Sequence, residues 1–376
     1  MAFLSFGKPT HAVGVDIGTR SIRVAELALG KLPPVLNKVG IVRIPENLVV
    51  DGELADIKAV SAILKDLWSK NGFSKDNITV GVANQKVIVR VIDMPKMNEE
   101  ELKGAIRFQA ADYIPMPVED TIIDFEILKE YAVKEDEQNM KVLLVAAQRD
   151  MIQGYVEALA GAGLYPKSID VKSFAMMRSL IPNLPAFPSE EESRLAMETT
   201  CLLNVGAGVS NMIIVEEGLP YFVRILLFGG NDFTRAIAEN LSISEAEAEE
   251  LKISLSEADP VGSGTSAEGK RELRQKADEI LHSRIGSFVR EIRRSIDYCL
   301  DQTGCRAPAS IVISGRGAKI NGLKEELEKT LQVTVRDGEP LQNVKVGKMQ
   351  LSEAEFADIA PALSVPIGLA LRGTEK

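Results

Sequence analysis

The sequence of 376 residues is poor in the residue types that build metal centres, hydrolase triads and disulfide frameworks. Its three cysteines include no CxxC pair, which excludes a zinc ribbon and a disulfide-based fold. Only His11 and His282 are available for a histidine metal site or a Ser-His-Asp triad. We find no apolar run of the roughly 18–20 residues that a membrane helix needs, and residues 1–9 lack the apolar core of a signal peptide. These absences predict a cytoplasmic protein without a membrane span.

The charge balance limits the classes of partner that the protein is expected to bind. The formal net charge is −10, and the sequence contains no cluster of basic residues. We therefore expect no nucleic-acid binding. With 45% hydrophobic and 26% charged residues, the composition is that of an ordinary globular protein. The length is sufficient for two domains, each with its own core.

Two stretches of the chain repeat one pattern of an apolar strand, a glycine turn and a second strand. In the first, residues 12–18 form an apolar run that ends in Asp16-Ile17-Gly18, and residues 22–27 alternate apolar and polar side chains. In the second, residues 201–215 place Asn204-Val205-Gly206-Ala207-Gly208 between two apolar runs. This internal repeat predicts a duplicated fold.

A third glycine turn, Ser314-Gly315-Arg316-Gly317, follows the apolar strand predicted at residues 310–313 and precedes a helix. Such turns present backbone N–H groups that can bind phosphate oxygens. Asp16 could hold the hydrated Mg²⁺ that accompanies ATP, because Mg²⁺ prefers oxygen ligands. Each turn alone is equally compatible with a plain hairpin or a helix C-cap, but their order favours nucleotide binding.

Between the two repeats, residues 86–165 read as a compact β-α-β-β-α insert. Asn98 and Glu101 have the spacing of a capping box at the start of its first helix. Residues 165–171 either complete the insert or lead back to the first domain. We predict exposed connections at residues 182–192 and 256–269, and a long helix over 272–302.

The three glycine motifs resemble the phosphate and adenosine motifs of the actin/Hsp70/sugar-kinase ATPase superfamily. Within it, almost the whole chain resembles the family of the type IV pilus assembly protein PilM. The stretches that carry this likeness are Met94-Pro95, Tyr113-Ile114-Pro115, residues 160–164, residues 229–234, residues 247–252 and residues 365–372.

The resemblance implies an α/β, actin-like (ribonuclease H-like) fold of two domains with duplicated βββαβα cores, closing on ATP in the cleft between them. The first domain would comprise residues 1–85 and 166–200, with a small α+β insert at 86–165. The second domain would span 201–345, with a nucleotide-side subdomain at about 228–300. Residues 346–376 would return to the first domain.

The resemblance also implies a set of residues that bind ATP and Mg²⁺. Asp16 would hold the metal through water, and Glu249 and Lys252 would reach the ribose from one helix face. The full set is Asp16, Gly18, Thr19, Arg20, Ser21, Asn204, Gly206, Ala207, Gly208, Ser210, Gly229, Gly230, Asp232, Glu249, Lys252, Ser314, Gly315, Gly317 and Ala318.

Two departures from the superfamily pattern bear on catalysis. The second phosphate motif usually begins with Asp, and here it begins with Asn204, which is a weak base. Lys172 stands where a residue that places the attacking water is expected. Asp16, Asn204 and Asp170 are the weak catalytic candidates, and for Asp170 we favour a helix cap over a catalytic role. We expect ATP binding with, at most, slow hydrolysis.

The family resemblance further implies partners in the inner-membrane pilus platform. Foremost is the cytoplasmic N-terminal tail of the membrane protein PilN, docked in a groove between the first domain and the insert. The chain would then reach the membrane only through its partner. Two alternatives are an FtsA-like division protein, for which we expect a C-terminal amphipathic helix that is not seen here, and a small-molecule kinase, which would need a carboxylate base.

Overall fold

The computed structural model describes residues 10–134, 137–182, 197–256, 265–349 and 352–375. These residues fall into two compact units, one within Met1–Ala196 and Glu339–Lys376 and the other within Met197–Gly338. The predicted connection at residues 182–192 lies outside the described residues from position 183 onward.

The first unit is built on a six-stranded mixed sheet with the order β10-β6-β1-β2-β3-β16. The strands are β1 (His11–Ile17), β2 (Ser21–Ala28), β3 (Val35–Arg43), β6 (Ile78–Val82), β10 (Pro166–Val171) and β16 (Lys345–Val346). Strands β1, β2 and β3 form an antiparallel meander, and β6 and β10 add in parallel beside β1. The first predicted hairpin is therefore confirmed, and residues 166–171 return to this sheet instead of completing the insert.

Helices surround this sheet, and a two-stranded ribbon, β4 (Val49–Val50) with β5 (Glu53–Leu54), precedes the first of them. The helices are α1 (Ile57–Asn71), α3 (Arg149–Gly161), α4 (Lys172–Leu180), α9 (Glu353–Ile359) and α10 (Ser364–Arg372). Asp56 caps α1 by accepting a hydrogen bond from the Ala59 amide, and Gly72 ends it in the left-handed conformation. Although the sequence groups α3 with the insert, Ser61 of α1 donates to the carbonyl of Ala158, so α3 packs against α1.

The insert forms a separate three-stranded antiparallel sheet in the order β7-β9-β8. Its elements are β7 (Val87–Pro95), α2 (Glu99–Tyr113), β8 (Thr121–Lys134) and β9 (Glu137–Gln148). The predicted capping box of Asn98 and Glu101 is present at the start of α2. Strands β8 and β9 pair antiparallel from Thr121–Gln148 to Lys134–Glu137, with register shifts near Ile127 and Ala132.

The second unit repeats the topology of the first. Its five-stranded sheet has the order β13-β12-β11-β14-β15, again a three-stranded meander followed by two parallel strands. The strands are β11 (Thr200–Val205), β12 (Ser210–Glu216), β13 (Leu219–Leu226), β14 (Ser310–Ser314) and β15 (Thr334–Asp337). The duplication predicted from the two glycine hairpins is therefore confirmed.

The helices of the second unit are α5 (Gly230–Leu241), α6 (Glu245–Leu255), α7 (Thr265–Thr303) and α8 (Leu323–Leu331). Helix α7 begins earlier than predicted: residues 265–269 are helical, although their Ser- and Gly-rich context suggests a loop. Once a helix is nucleated, each further residue adds one backbone hydrogen bond, which offsets a weak local propensity. Residues 257–264 of that predicted loop lie outside the described part of the chain.

One helical stretch in the described residues, Glu353–Arg372, is long and apolar enough to span a membrane by length and composition. The expectation that no such segment exists is therefore wrong on these two criteria. Of its most apolar window, 56% is buried inside the protein. Ile367 and Leu371 of α10 pack with Ala25, Leu27 and Leu36 of the first sheet. The apolar character of this stretch serves the core of the first unit.

Candidate functional site

In the first unit, the β1–β2 turn places Gly18, Thr19 and Arg20 at a half-exposed edge of the sheet. The Gly18 amide donates to the Ser21 carbonyl at 3.0 Å and closes the turn. A Cβ on Gly18 would lie 2.6 Å from Nη2 of Arg23, so a side chain there would displace that guanidinium. The Arg20 side chain forms an ion pair with Glu46.

Asp16 is buried next to this turn and is paired with two cations. Its Oδ1 lies 2.8 Å from Nζ of Lys172, and its Oδ2 lies 3.2 Å from Nη2 of Arg23. Burial opposes ionisation of the carboxyl, but the charges of Arg23 and Lys172 outweigh it, so the pKa of Asp16 lies below its ordinary value. Lys172 also donates to the Ile17 carbonyl at 2.7 Å. Asp16 is therefore ionised and already compensated.

Asp170 is the penultimate residue of β10 and lies in register with Gly81 of β6, which in turn lies in register with Asp16 of β1. Its carboxylate forms an ion pair with Arg178, and its Oδ1 accepts from the Val171 amide at 2.8 Å. Burial raises its pKa despite the nearby Arg178. The helix cap expected at Asp170 is not formed, because the N-cap position of α4 is Val171 and no side chain caps it. The Asp170 carboxylate is instead paired with Arg178.

In the second unit, three glycine segments converge on the end of β11. The amides of Gly230 and Asn231 donate to the carbonyls of Gly206 and Ala207, at 2.9 and 2.7 Å. A Cβ on Gly229 would lie 2.5 Å from the Ala207 oxygen, closer than real Cβ contacts come. The turn after β11 and the start of α5 therefore approach each other in a way that only glycine permits.

The third segment closes on the same strand end from β14. Gly315 has φ = +84°, and a Cβ there would lie 2.5 Å from the Val205 oxygen. A Cβ on Gly317 would meet the Val205 side chain at 2.4 Å. Asn204 donates from Nδ2 to Oγ of Ser314 at 3.0 Å, which joins the ends of β11 and β14. The predicted second phosphate motif and adenosine motif are thus neighbours.

Lys252 ties helix α6 to the first turn of α5. Its Nζ donates to the Gly230 carbonyl at 3.0 Å, to Oγ1 of Thr234 at 2.7 Å and to Oε2 of Glu249 at 2.7 Å. Thr234 in turn donates to the same Glu249 oxygen. The ammonium is buried, whereas the Glu249 side chain remains 45% exposed. Glu249 therefore presents a polar edge beside the glycine segments, held in place by Lys252.

Several of the remaining predicted residues form hydrogen bonds that stabilise the glycine segments. Asp232 accepts from the Gly229 amide at 2.8 Å and so caps α5 itself. Ser210 donates to the Phe228 carbonyl at 2.6 Å, and the Ala318 amide donates to the Gly315 carbonyl. Asp16, Gly18, Thr19, Arg20 and Ser21 belong to the first unit, and all the others from Asn204 to Ala318 belong to the second.

Sequence reasoning missed Arg23, Thr234 and the pairing of Lys172. Arg23 faces Asp16 directly across the β1–β2 hairpin, and counting back from the turn gives this register. Thr234 lies four residues after Gly230 and therefore one helical turn above it. The Lys172 contact spans more than 150 residues of sequence and has no local signal.

The described residues suit a nucleotide better than they suit Mg²⁺. The second unit brings three glycine segments together at one strand end, and we call this arrangement the glycine cradle. Its small residues would let a nucleotide's phosphates approach the backbone. Asp16 offers Mg²⁺ no uncompensated oxygen, because a hydrated cation would have to displace Lys172 or Arg23. Across the described ranges, no cluster of three or more His, Cys, Asp or Glu could hold a metal.

Comparison with known proteins matches residues 14–374 to the model of the family "Type IV pilus assembly protein PilM". Curated relatives include the cell division protein FtsA of Streptococcus pneumoniae, 24% identical over 86% of this chain and 74% of that protein. The Pseudomonas aeruginosa FtsA is 23% identical over 100% of this chain and 92% of its own length.

Two solved structures extend the comparison. The structure described as a "PilM-PilN type IV pilus biogenesis complex" has a TM-score of 0.81 at 28% identity, covering 98% of this chain and 100% of that one. The ethanolamine utilization protein EutJ of Carboxydothermus hydrogenoformans has a TM-score of 0.54 at 16% identity, covering 96% and 90%.

Proposed function

The chain belongs to the family of the type IV pilus assembly protein PilM and has an actin-like fold, and on that premise we propose that it is an ATP-binding component of a type IV pilus assembly platform. In this role it acts in the cytoplasm and reaches the inner membrane through a membrane partner. The function is binding and assembly, with at most slow ATP hydrolysis.

The convergence of three glycine segments on the end of β11 is the observation that carries nucleotide binding. Gly229, Gly315 and Gly317 each stand where a Cβ would collide with the backbone or side chain of the neighbouring segment. Because these three positions carry no side chain, phosphate oxygens could approach the backbone at the strand ends. Glu249 adds an exposed carboxylate that can accept from ribose hydroxyls.

All three weak catalytic candidates are already bonded to other side chains, which supports slow ATP hydrolysis. Asp16 is paired with Lys172, Asp170 with Arg178, and Asn204 with Ser314. A general base must be able to accept a proton from the attacking water. A carboxylate held with a lowered pKa by two cations is poorly suited to that task.

The insert supplies the surface that we propose for the partner. Helix α2 covers one face of its sheet, where Leu102 and Ile106 pack on the β9 side chains Val142 and Leu144. The opposite face carries Val89 and Val91 of β7 beside Leu143 and Val145 of β9, by the register of the two strands. Val91 and Val145 are only partly buried. We call this opposite face the β7–β9 face.

Acidic side chains border the β7–β9 face. Asp124 and Glu126 of β8 lie opposite Val145 and Leu143, and both are exposed. The charge of Glu126 contributes to the raised pKa of Arg372, which is exposed at the end of α10. A short extended peptide with apolar anchors and basic side chains fits such a surface. We propose that the N-terminal tail of a PilN-type partner binds there.

The experiment is a titration of the full chain with a synthetic peptide of the partner's first ten or so residues, followed by calorimetry. Val145→Lys places a charge on the β7–β9 face and should abolish binding. Lys103→Ala, on the exposed side of α2, is the matched control and should bind as the wild type does. Equal affinity of Val145→Lys and wild type would show that the peptide site lies elsewhere.

A further inference from the structure

Two of the three cysteines meet at the end of the long helix α7. The sulfur atoms of Cys299 and Cys305 are 2.6 Å apart, and both residues are buried free thiols. Unbonded heavy atoms in protein cores rest at about 3.5–4.0 Å, so this separation is far inside ordinary packing contact. The pair lies apart from the glycine segments and takes no part in the proposed nucleotide or peptide binding.

The C-terminal end of α7 holds Cys299 and Cys305 close together. Thr303 is the last helical residue, and Gly304 follows it in the left-handed conformation with φ = +64°. A glycine in this position reverses the chain so that the next residue packs back onto the final turn. The Thr303 hydroxyl donates to the Cys299 carbonyl at 2.9 Å and accepts from the Cys305 amide at 3.3 Å. The two cysteine backbones are therefore held together without a covalent link.

Hydrogen bonds from Arg306 to Glu216 also hold the residues that follow α7. The Arg306 amide donates to Oε2 of Glu216 at 3.0 Å, and its Nε donates to Oε1 at 2.7 Å. Glu216 ends β12, so the residue after Cys305 is anchored to the sheet. Two thiols whose sulfur atoms are held this close together can be joined without a large rearrangement.

We propose that Cys299 and Cys305 are a redox modification site, which small peroxides convert to an intramolecular disulfide. The Cys305 thiolate attacks one peroxide oxygen, the O–O bond breaks, and the departing hydroxide takes a proton to form water. The resulting sulfenic acid is attacked by the Cys299 sulfur, the S–S bond forms, and a second water leaves. Two thiols are oxidised and one peroxide is reduced to two waters; an external dithiol reverses the change.

Cys305 is the attacking residue for two reasons. It lies between the exposed residues Gly304 and Arg306, whereas Cys299 is fully buried. The hydrogen bond from Cys299 lowers the pKa of the Cys305 thiol, against the effect of burial. Cys201 on β11 offers a contrast, since burial raises the pKa of its thiol to about 12 and leaves it inert.

The test treats the folded full chain with graded hydrogen peroxide, then denatures it and alkylates the remaining thiols for mass spectrometry. We expect the wild type to lose two alkylatable thiols together, with one linked peptide pair containing Cys299 and Cys305. Dithiothreitol should restore all three thiols. The matched control Cys201→Ala should lose both of its thiols in the same range of peroxide.

The single variants Cys299→Ser and Cys305→Ser complete the test. Each should fail to form the linked pair, and Cys299→Ser should accumulate oxidised Cys305, because the resolving thiol is absent. The proposal is overturned if wild-type Cys305 is oxidised further while Cys299 stays alkylatable. It is also overturned if Cys201 reacts before the pair in the folded protein.

Discussion

Lys172 and Asp16 form a buried ion pair that joins the start of α4 to the end of β1. The ammonium lies 2.8 Å from the Asp16 carboxylate and 2.7 Å from the carbonyl of Ile17. The pair thus compensates the charge of the carboxylate that the sequence predicts to hold Mg²⁺ through water. It also connects α4 to the strand that precedes the first glycine turn.

Lys172→Met should lower the free energy of unfolding by about 3 kcal/mol, because it leaves a buried carboxylate with only Arg23 as partner. Urea unfolding at neutral pH measures the change. Lys324→Met removes an ammonium from an exposed ion pair with Asp337 and should cost less than about 1 kcal/mol. Similar small losses in both variants would mean that the Asp16 pair contributes no more than a surface contact.

Acid stability should depend on Asp16 and Asp170 with opposite signs. The folded pKa of Asp16 lies below its ordinary value of 3.8, so its contribution is full above about pH 4 and is lost as the pH falls through the folded pKa. The stability advantage of wild type over Asp16→Asn should therefore shrink below pH 4.

The folded pKa of Asp170 is raised instead. Its contribution is present below the ordinary pKa and is lost as the pH rises through the folded value. Relative to Asp170→Asn, the wild type should become less stable as the pH rises from about 4. Urea unfolding between pH 3 and 7 measures both series, and slopes of the same sign would contradict the two assignments.

Gly229→Ala should weaken ATP binding by at least about tenfold, because the added Cβ would lie 2.5 Å from the Ala207 oxygen and force the two segments apart. Gly286→Ala, inside α7, meets only the end of Arg290 at 3.5 Å. This control should keep wild-type affinity and gain up to about 1 kcal/mol of stability from helix propensity. Calorimetry provides the affinities, and unchanged affinity in Gly229→Ala would contradict the proposed cradle.

Hydrolysis of ATP should be slower than about 1 s⁻¹, the lower end of the range typical of enzymes. Asn204→Asp supplies the carboxylate that the second phosphate motif usually carries and should raise the rate, measured as phosphate released from the purified chain. A wild-type rate typical of metabolic kinases would show that the pairing of Asp16, Asp170 and Asn204 does not limit catalysis.

The sequence predicts the duplicated hairpins and their order because strand period and glycine turns are local signals. It does not predict that Lys172 pairs with Asp16, since that contact joins residues far apart in the chain. The contact of Cys299 with Cys305 is also missed, although the two are only six residues apart. The turn that joins them depends on Gly304 adopting a positive φ, and the sequence allows but does not require this conformation.

The close approach of the predicted glycine segments is sterically required at Gly229, Gly315 and Gly317. The sequence does not show which partner a charged residue takes. Asp232, expected beside the nucleotide, caps the helix that follows the glycine pair. Capping and ligand binding use the same side-chain chemistry, so only the folded geometry distinguishes them.

The central claim, nucleotide binding, is tested most directly by calorimetric titration of the full chain with ATP, with and without EDTA. The account predicts saturable binding of one ATP per chain, and a large loss of affinity in Lys252→Met, which releases Glu249 and the first turn of α5. Lys276→Met, in an exposed pair on α7, should bind as the wild type does. Absence of binding by ATP, ADP and other nucleotides under both conditions would contradict the account.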